Sequence, residues 1–153
     1  MRVITIDFET YYSREYSLSK MTTEAYVRDP RFEVIGVGVK VDDNPPDWYS
    51  GEDVGRFLNS LDYSEDAILA HNTVFDGAIL SWLYGIKPRF WFDTLSMARP
   101  FHHSTVGGSL KALANFYNLG QKGDEVIQGL GKKRNDFSPQ ELDKYADYCL
   151  QDV

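Results

Sequence analysis

The sequence predicts an α/β domain built on a mixed sheet covered on both faces, and three observations carry that reading. Strand-like runs form a small meander over the first fifty residues, helical and strand-like stretches alternate after it, and the composition is that of a chain with a real core. Of 153 residues, 42% are hydrophobic and 14% aromatic, which suits one folded domain and not a disordered chain.

The elements follow in order. Residues 2–8 carry Val3, Ile4, Ile6 and Phe8, the β-branched and aromatic types that fill a covered strand, and EVIGVGVKVD (33–42) reads as a second. The turn DDNPPD leads to a short aromatic segment at Trp48 and Tyr49. Val54, Phe57, Leu58 and Leu61 fall at i, i+3, i+4 and i+7, one face of a helix over 52–61. AILA (67–70) is a short apolar strand. Phe75, Ile79 and Leu83 then share a helix face, with Gly85 as its stop, and RFWF (89–92) is a further strand. Asp93 caps the segment that follows. Ser109 caps a helix whose inner face is Leu110, Leu113, Ala114 and Tyr117, ended by Gly120. SPQE (138–141) combines a capping serine, proline at the first helical position and glutamate at the third, so a helix is predicted from Pro139 to the chain end.

Composition excludes several functions. No run of about 18 apolar residues could span a membrane, and the N-terminus lacks the order of charged, apolar and small residues of a secretory signal, so a cytoplasmic protein is expected. A lone Cys149 can make neither an internal disulfide nor a thiolate cluster, which leaves oxygen or histidine to hold any metal. The net charge of −7 argues against a broad footprint on duplex nucleic acid but not against a small site whose cations reverse the local field.

Three polar signals interrupt this apolar pattern. In VITIDFET, Asp7 and Glu9 sit two apart on a strand, so both carboxylates leave the same face and repel unless a basic side chain or a cation lies between them. In HNTVFD, Asn72 and Asp76 are four apart at the start of a helix that follows a strand, where α/β sheets present their ligands. In YCLQD, Tyr148 and Asp152 are again four apart, a phenol and a carboxylate on one helix face. Each has a bland counterpart: a salt-bridged strand acid, a helix cap, a half-buried tyrosine beside a solvated acid. Four carboxylates without a cysteine or histidine set suit magnesium or manganese.

Taken together and in this order, the motifs resemble those of the Asp-Glu-Asp-Asp 3′-to-5′ exonucleases in the branch with tyrosine in the third motif. DFET matches the first motif, HNTVFD the second and YCLQDV the third, while FDTLSMAR and GGSLKALANFYNLG are similar to connecting segments. The likeness covers nearly the whole chain and looks closest to the proofreading domain of family A DNA polymerases, with a bacteriophage as a candidate source. Asp147 stands where the histidine branch has its histidine. The fold implied is a ribonuclease-H-like mixed sheet with flanking helices.

The resemblance implies that Asp7, Glu9 and Asp152 hold one divalent cation, Mg2+ or Mn2+, that Asp7 bridges to a second, and that Asp76 supports the second. Tyr148 would orient the water that attacks the terminal phosphodiester. Thr10 and Asn72 would contact the terminal nucleotide and Phe75 would pack against it, although Phe75 also begins an apolar helix face. The family's apolar wedge is replaced here by Ser13, which leaves Tyr11 or Tyr12 to stack in its place. His71 reads as a structural residue beside the site and His102 and His103 as loop residues. Lys132, Lys133 and Arg134 read as a solvated loop or as contacts to the phosphate backbone. The partner implied is a single-stranded DNA 3′ end, with RNA as the alternative substrate of a ribonuclease-D-like trimmer, and a non-catalytic nucleic-acid-binding domain as the third reading. Because Asp152 is next to last, and chain ends fray, the chain is expected to be part of a longer polypeptide carrying a polymerase domain.

Overall fold

The computed structural model describes residues 1–119 and 129–153. Its elements are β1 (Val3–Thr10), α1 (Thr23–Val27), β2 (Val34–Val41), β3 (Asp47–Ser50), α2 (Glu52–Leu58), β4 (Ala67–Ala70), α3 (Thr73–Leu83), β5 (Phe90–Asp93), α4 (Thr94–His102), α5 (Leu110–Tyr117) and α6 (Pro139–Cys149). The strands form one sheet in the order β3-β2-β1-β4-β5. β1, β2 and β3 pair antiparallel, whereas β1, β4 and β5 pair parallel, which makes the sheet mixed as the sequence predicts.

β1 is central and its alternation organises the molecule. Ile4, Ile6 and Phe8 are buried on one face, where they pack with Val37 and Val39 of β2, Val54 and Leu58 of α2, and Ile79 and Leu80 of α3. Asp7 and Glu9 leave the other face, where a second, smaller core of Ile35, Tyr145 and Cys149 joins the sheet to α6. The residues of β2 opposite Asp7 and Glu9 are Gly38 and Gly36. A β-carbon on Gly36 would lie 2.2 Å from the Trp48 ring and 2.6 Å from the Tyr49 carbonyl, so only glycine lets Trp48 cover that strand. The register slips beyond Glu9, where Thr10 pairs with Val34 and Ile35 is left over. This bulge turns Ile35 into the second core.

Several boundaries differ from the sequence prediction. β1 runs on to Thr10, because β2 continues to pair with it there. α1 has no counterpart in the sequence reading: five residues are too few to show a period, although Thr22 caps it by accepting from the Ala25 N–H. α2 stops at Leu58 rather than residue 61, since Asn59 and Ser60 turn their side chains back onto the carbonyls of Gly55 and Phe57. α5 ends at Tyr117 with Asn118 capping it in the left-handed conformation, and Gly120 lies outside the described residues. α6 has the predicted capping box between Ser138 and Glu141, but after Cys149 it tightens into a 3-10 turn over Leu150–Asp152. His102 belongs to α4 rather than a loop, and its Nε2 lies 2.6 Å from the Tyr117 hydroxyl.

Candidate active site

Where β4 ends, β1 goes on. Their parallel pairing stops at Thr5 and Leu69, so the backbone of β1 beyond that point needs other partners on this side. The first turn of α3 supplies one: Asp76 Oδ1 accepts the Phe8 N–H at 3.0 Å, with the residue only 2% exposed. Burial pushes the Asp76 carboxyl up to about 7, opposed by the Phe8 N–H and by its own N–H, and the negative charges of Glu9 and Asp93 add to the rise. Asp76 is therefore a strand-edge partner in the interior rather than a helix cap. Asn72 is not a side-chain cap either. It holds a left-handed backbone (φ 78°) at the head of α3, makes no capping bond through its side chain, and donates its N–H to Asp93 Oδ1 at 2.9 Å. Asp93 caps α4 as predicted, accepting from Leu95 N–H at 3.1 Å.

From the opposite side α6 closes on Glu9. Tyr145 donates its hydroxyl to Glu9 Oε2 at 2.8 Å, and the Cys149 thiol also hydrogen-bonds Glu9. Burial raises the pKa of both groups, and the Glu9 charge raises them further. Asp7 and Asp152 stand close enough to oppose ionisation of the same thiol. Tyr12 is raised by burial and then by Glu9 and Tyr148, which brings Tyr148 to this place as well. Asp7, Glu9, Asp76, Tyr148 and Asp152, from β1, α3 and the end of α6, thus each lie within electrostatic reach of Glu9, Tyr12 or the Cys149 thiol. Asp152 reaches it from the 3-10 turn, so it is turned further about the axis than a straight helix would set it relative to Tyr148.

Tyr145 and Cys149 escaped the sequence reading. The signal was present: Tyr145, Tyr148, Cys149 and Asp152 fall at i, i+3, i+4 and i+7, one continuous helical face.

Beside the acids lies a cleft of about 270 Å3 lined by Phe8, Glu9, Thr10, Tyr12, Leu18, Tyr26 and Phe75 among others. Thr10 and Phe75 are therefore brought together with Glu9, and Asn72 sits at the head of the helix that carries Phe75. Of the two tyrosines considered for stacking, Tyr12 lines the cleft. Tyr11 instead stacks on Tyr16, with ring centroids 5.8 Å apart. Leu18, 43% exposed at the same cleft, is an apolar candidate the sequence did not single out. His71 is structural, its ring nitrogens each 2.8 Å from the Thr94 hydroxyl and the Gly108 carbonyl. The basic run is paired within the chain while Lys133 stays exposed: Lys132 pairs with Glu141 at 2.8 Å, Lys133 with Glu33 at 3.7 Å, and Arg134 Nε donates to Ser50 at 2.8 Å.

The donor set fits a hard divalent cation, since every candidate ligand is a carboxylate and the charge of Glu9 adds to the cost of ionising Asp76. As the side chains stand, no three His, Cys, Asp or Glu among the described residues form a ready cage. Binding would have to draw the acids together.

No family model matches the chain, and no curated protein matches it in sequence. Solved structures do. Brucella melitensis NrnC bound to pGG superposes with a TM-score of 0.67 at 17% identity, over 99% of this chain and 66% of that one. The same protein with bound Mg2+ gives 0.66 at 18%. A family B DNA polymerase from the hyperthermophilic archaeon Pyrobaculum calidifontis gives 0.69 at 21%, over all of this chain and 23% of that one. The chain thus spans about two thirds of NrnC and a quarter of the polymerase. The fold is ribonuclease-H-like, a mixed five-stranded sheet flanked by helices. At these identities the likeness establishes the fold alone.

Proposed function

We propose that the chain is a 3′-to-5′ exonuclease that hydrolyses the terminal phosphodiester of single-stranded DNA and releases nucleoside 5′-monophosphates. One observation carries the reading: Glu9 of β1 lies within electrostatic reach of Asp76 on α3, and Asp7, Glu9 and Asp152 all bear on the Cys149 thiol, beside a cleft of about 270 Å3 lined by Thr10 and Phe75. Asp7, Glu9 and Asp152 would hold one divalent cation, with Asp7 shared and Asp76 supporting a second. When bound, such ions polarise the phosphodiester, activate water and offset the charge on the departing oxygen. The chain's own part is positional. Tyr145 holds Glu9, Asp76 holds β1 in place, Phe75 and Tyr12 flank the base or sugar, and Tyr148 orients the attacking water. Water gives up one proton as it adds to phosphorus, the bond to the 3′ oxygen of the penultimate nucleotide breaks, and that oxygen takes up a proton in turn, so that the count balances.

Proofreading beside a polymerase domain, of family A by the motif resemblance, is the biological role proposed, in the same or a partner chain. The likeness to a protein solved with pGG favours a second reading, in which the substrate is a very short oligonucleotide of DNA or RNA. The test is a time course on 3′-labelled DNA and RNA strands of two to thirty nucleotides with magnesium or manganese. Label released first, as mononucleotide, from long DNA is the expected result. Preference for dinucleotides or RNA would favour the second reading, and no mononucleotide from any end would overturn both.

A further inference from the structure

Tyr26 is the residue that α1 exists to place. Its ring stacks on Tyr16 with centroids 4.4 Å apart, and Tyr16 donates its own hydroxyl to the Tyr26 carbonyl at 2.7 Å. So held, the Tyr26 hydroxyl lies between two oxygens, the backbone carbonyl of Tyr11 and the side-chain hydroxyl of Thr10, the latter at 2.9 Å. The Tyr11 peptide is itself fixed, since its N–H donates to the Glu33 carbonyl at 2.9 Å.

Proton accounting gives this chain a direction. A carbonyl oxygen can only accept, so the single phenolic hydrogen of Tyr26 is committed to Tyr11. The contact between Tyr26 and Thr10 is then made with the hydrogen of Thr10, and the threonine hydroxyl has none left to give. Thr10 and Tyr26 both line the cleft beside Glu9. What Thr10 offers a ligand there is lone pairs alone.

We infer that Tyr26 is a specificity-positioning residue: it fixes the Thr10 hydroxyl as an acceptor, so that the cleft takes a terminal sugar ending in a hydroxyl and rejects an end group that can only accept. The inference rests on the exonuclease reading for the identity of the ligand, a nucleotide 3′ end. Its physical basis is the asymmetry of hydrogen bonding: two facing acceptors in a partly buried cleft leave both unsatisfied, which costs more than a good bond gains.

The experiment compares ends that differ by one hydrogen-bond donor. A 3′-fluoro group is close to a hydroxyl in size and cannot donate. Release of the terminal nucleotide with manganese, and binding of thymidine 5′-monophosphate and its 3′-fluoro analogue by calorimetry, are measured for the wild-type chain, Tyr26→Phe, Thr10→Val and Thr10→Ser. The wild-type chain should prefer the hydroxyl form by about fivefold or more, the scale of one net hydrogen bond. Tyr26→Phe keeps the ring but frees the Thr10 hydrogen to turn toward fluorine, so the preference should fall to about twofold or less. Thr10→Val should abolish it, and Thr10→Ser should restore it, which a merely structural threonine would not do. An unchanged preference in Tyr26→Phe, or none in the wild type, overturns the inference while leaving the nuclease standing. Failure of release from every end, with the binding preference and its loss in Tyr26→Phe intact, sinks the exonuclease reading and supports the fixing of Thr10 as an acceptor by Tyr26. Absence of both release and binding overturns the two together.

Discussion

On one face of the sheet Ile4, Ile6 and Phe8 meet Val37, Val39, Leu58, Ile79 and Leu80 in a continuous apolar core. On the other, the same strand turns Asp7 and Glu9 toward α6, where the buried contacts are Ile35, Tyr145 and Cys149 and where the Trp48 indole N–H is buried without an acceptor among the described residues. The first face gains by removing apolar surface from water; the second gives up much of that gain to carry acids within electrostatic reach of one another. One strand thus separates stability from chemistry by the direction in which alternate side chains point.

The sharpest way to break this comparison is to remove one residue from each face. Asp7→Ala takes away the proposed shared ligand and should slow single-turnover release of a 3′-labelled nucleotide by about 10³-fold or more at saturating manganese. Its melting temperature should move less than that of Ile79→Ala, which leaves a cavity in the apolar face and should cost about 3 kcal/mol, a fall on the order of 10 °C by calorimetry. Wild-type rates in Asp7→Ala would end the proposed mechanism. A larger melting shift in Asp7→Ala than in Ile79→Ala would end the division of labour between the faces.

A finer contrast lies within β2. Gly36→Ala would put a methyl against the Trp48 ring at 2.2 Å and the Tyr49 carbonyl at 2.6 Å, whereas at Gly38 the nearest atoms, the Cys149 carbonyl and Val153, stand 3.5 and 3.6 Å away. Overpacking of this kind costs about 2 kcal/mol, so Gly36→Ala should unfold at lower denaturant than wild type while Gly38→Ala stays within about 0.5 kcal/mol. Equal midpoints for the two variants would mean that Trp48 does not need the groove. Tyr148→Phe is smaller still and touches rate alone: losing a water-positioning hydroxyl should slow release by about tenfold with the midpoint unmoved.

How much was legible in the sequence divides along the same line. The apolar face was read almost in full, because Phe8, Leu58 and Ile79 recur at strand or helix spacing and periodicity reports burial directly. The acids were also legible, as polar residues breaking an apolar run in Asp7 and Glu9, or paired at helical spacing in Tyr148 and Asp152. What escaped were features set by partners far along the chain. α1 is short and is held by the packing of Tyr26 on Tyr16, not by a period of its own. The strand-edge role of Asp76 depends on β4 ending before β1 does, which is a matter of pairing length and not of the residues in HNTVFD. The ion pairs of Lys132 and Lys133 depend on Glu141 and Glu33, the second a hundred residues away in sequence.

The smallest effect concerns how α6 is fastened to the acid-bearing face. The Glu141 carboxyl is held down to about 2, first by the hydrogen bond from Lys132 and then by the N–H and hydroxyl of Ser138, at the helix terminus where a negative charge also meets the helix dipole. A carboxyl whose pKa is lower folded than unfolded stabilises the folded chain above its ordinary value near 4.5, and that contribution drains away as pH falls from there toward 2. The glutamate is exposed to water, so the gain is modest and screened by salt. Glu141→Gln keeps a capping acceptor but removes the charge, and it should melt slightly below wild type at pH 7 in low salt. At pH 3 the gap should narrow, because the wild-type carboxyl has by then lost part of its advantage over the unfolded state. Fluorescence of the chain's tryptophans, among them Trp48 against Tyr145, follows the melt from the α6 side of the sheet. A gap that stays constant from pH 7 to pH 3, or that widens in acid, would show that Glu141 acts by packing alone and that α6 is fastened to the acid-bearing face by its small apolar core.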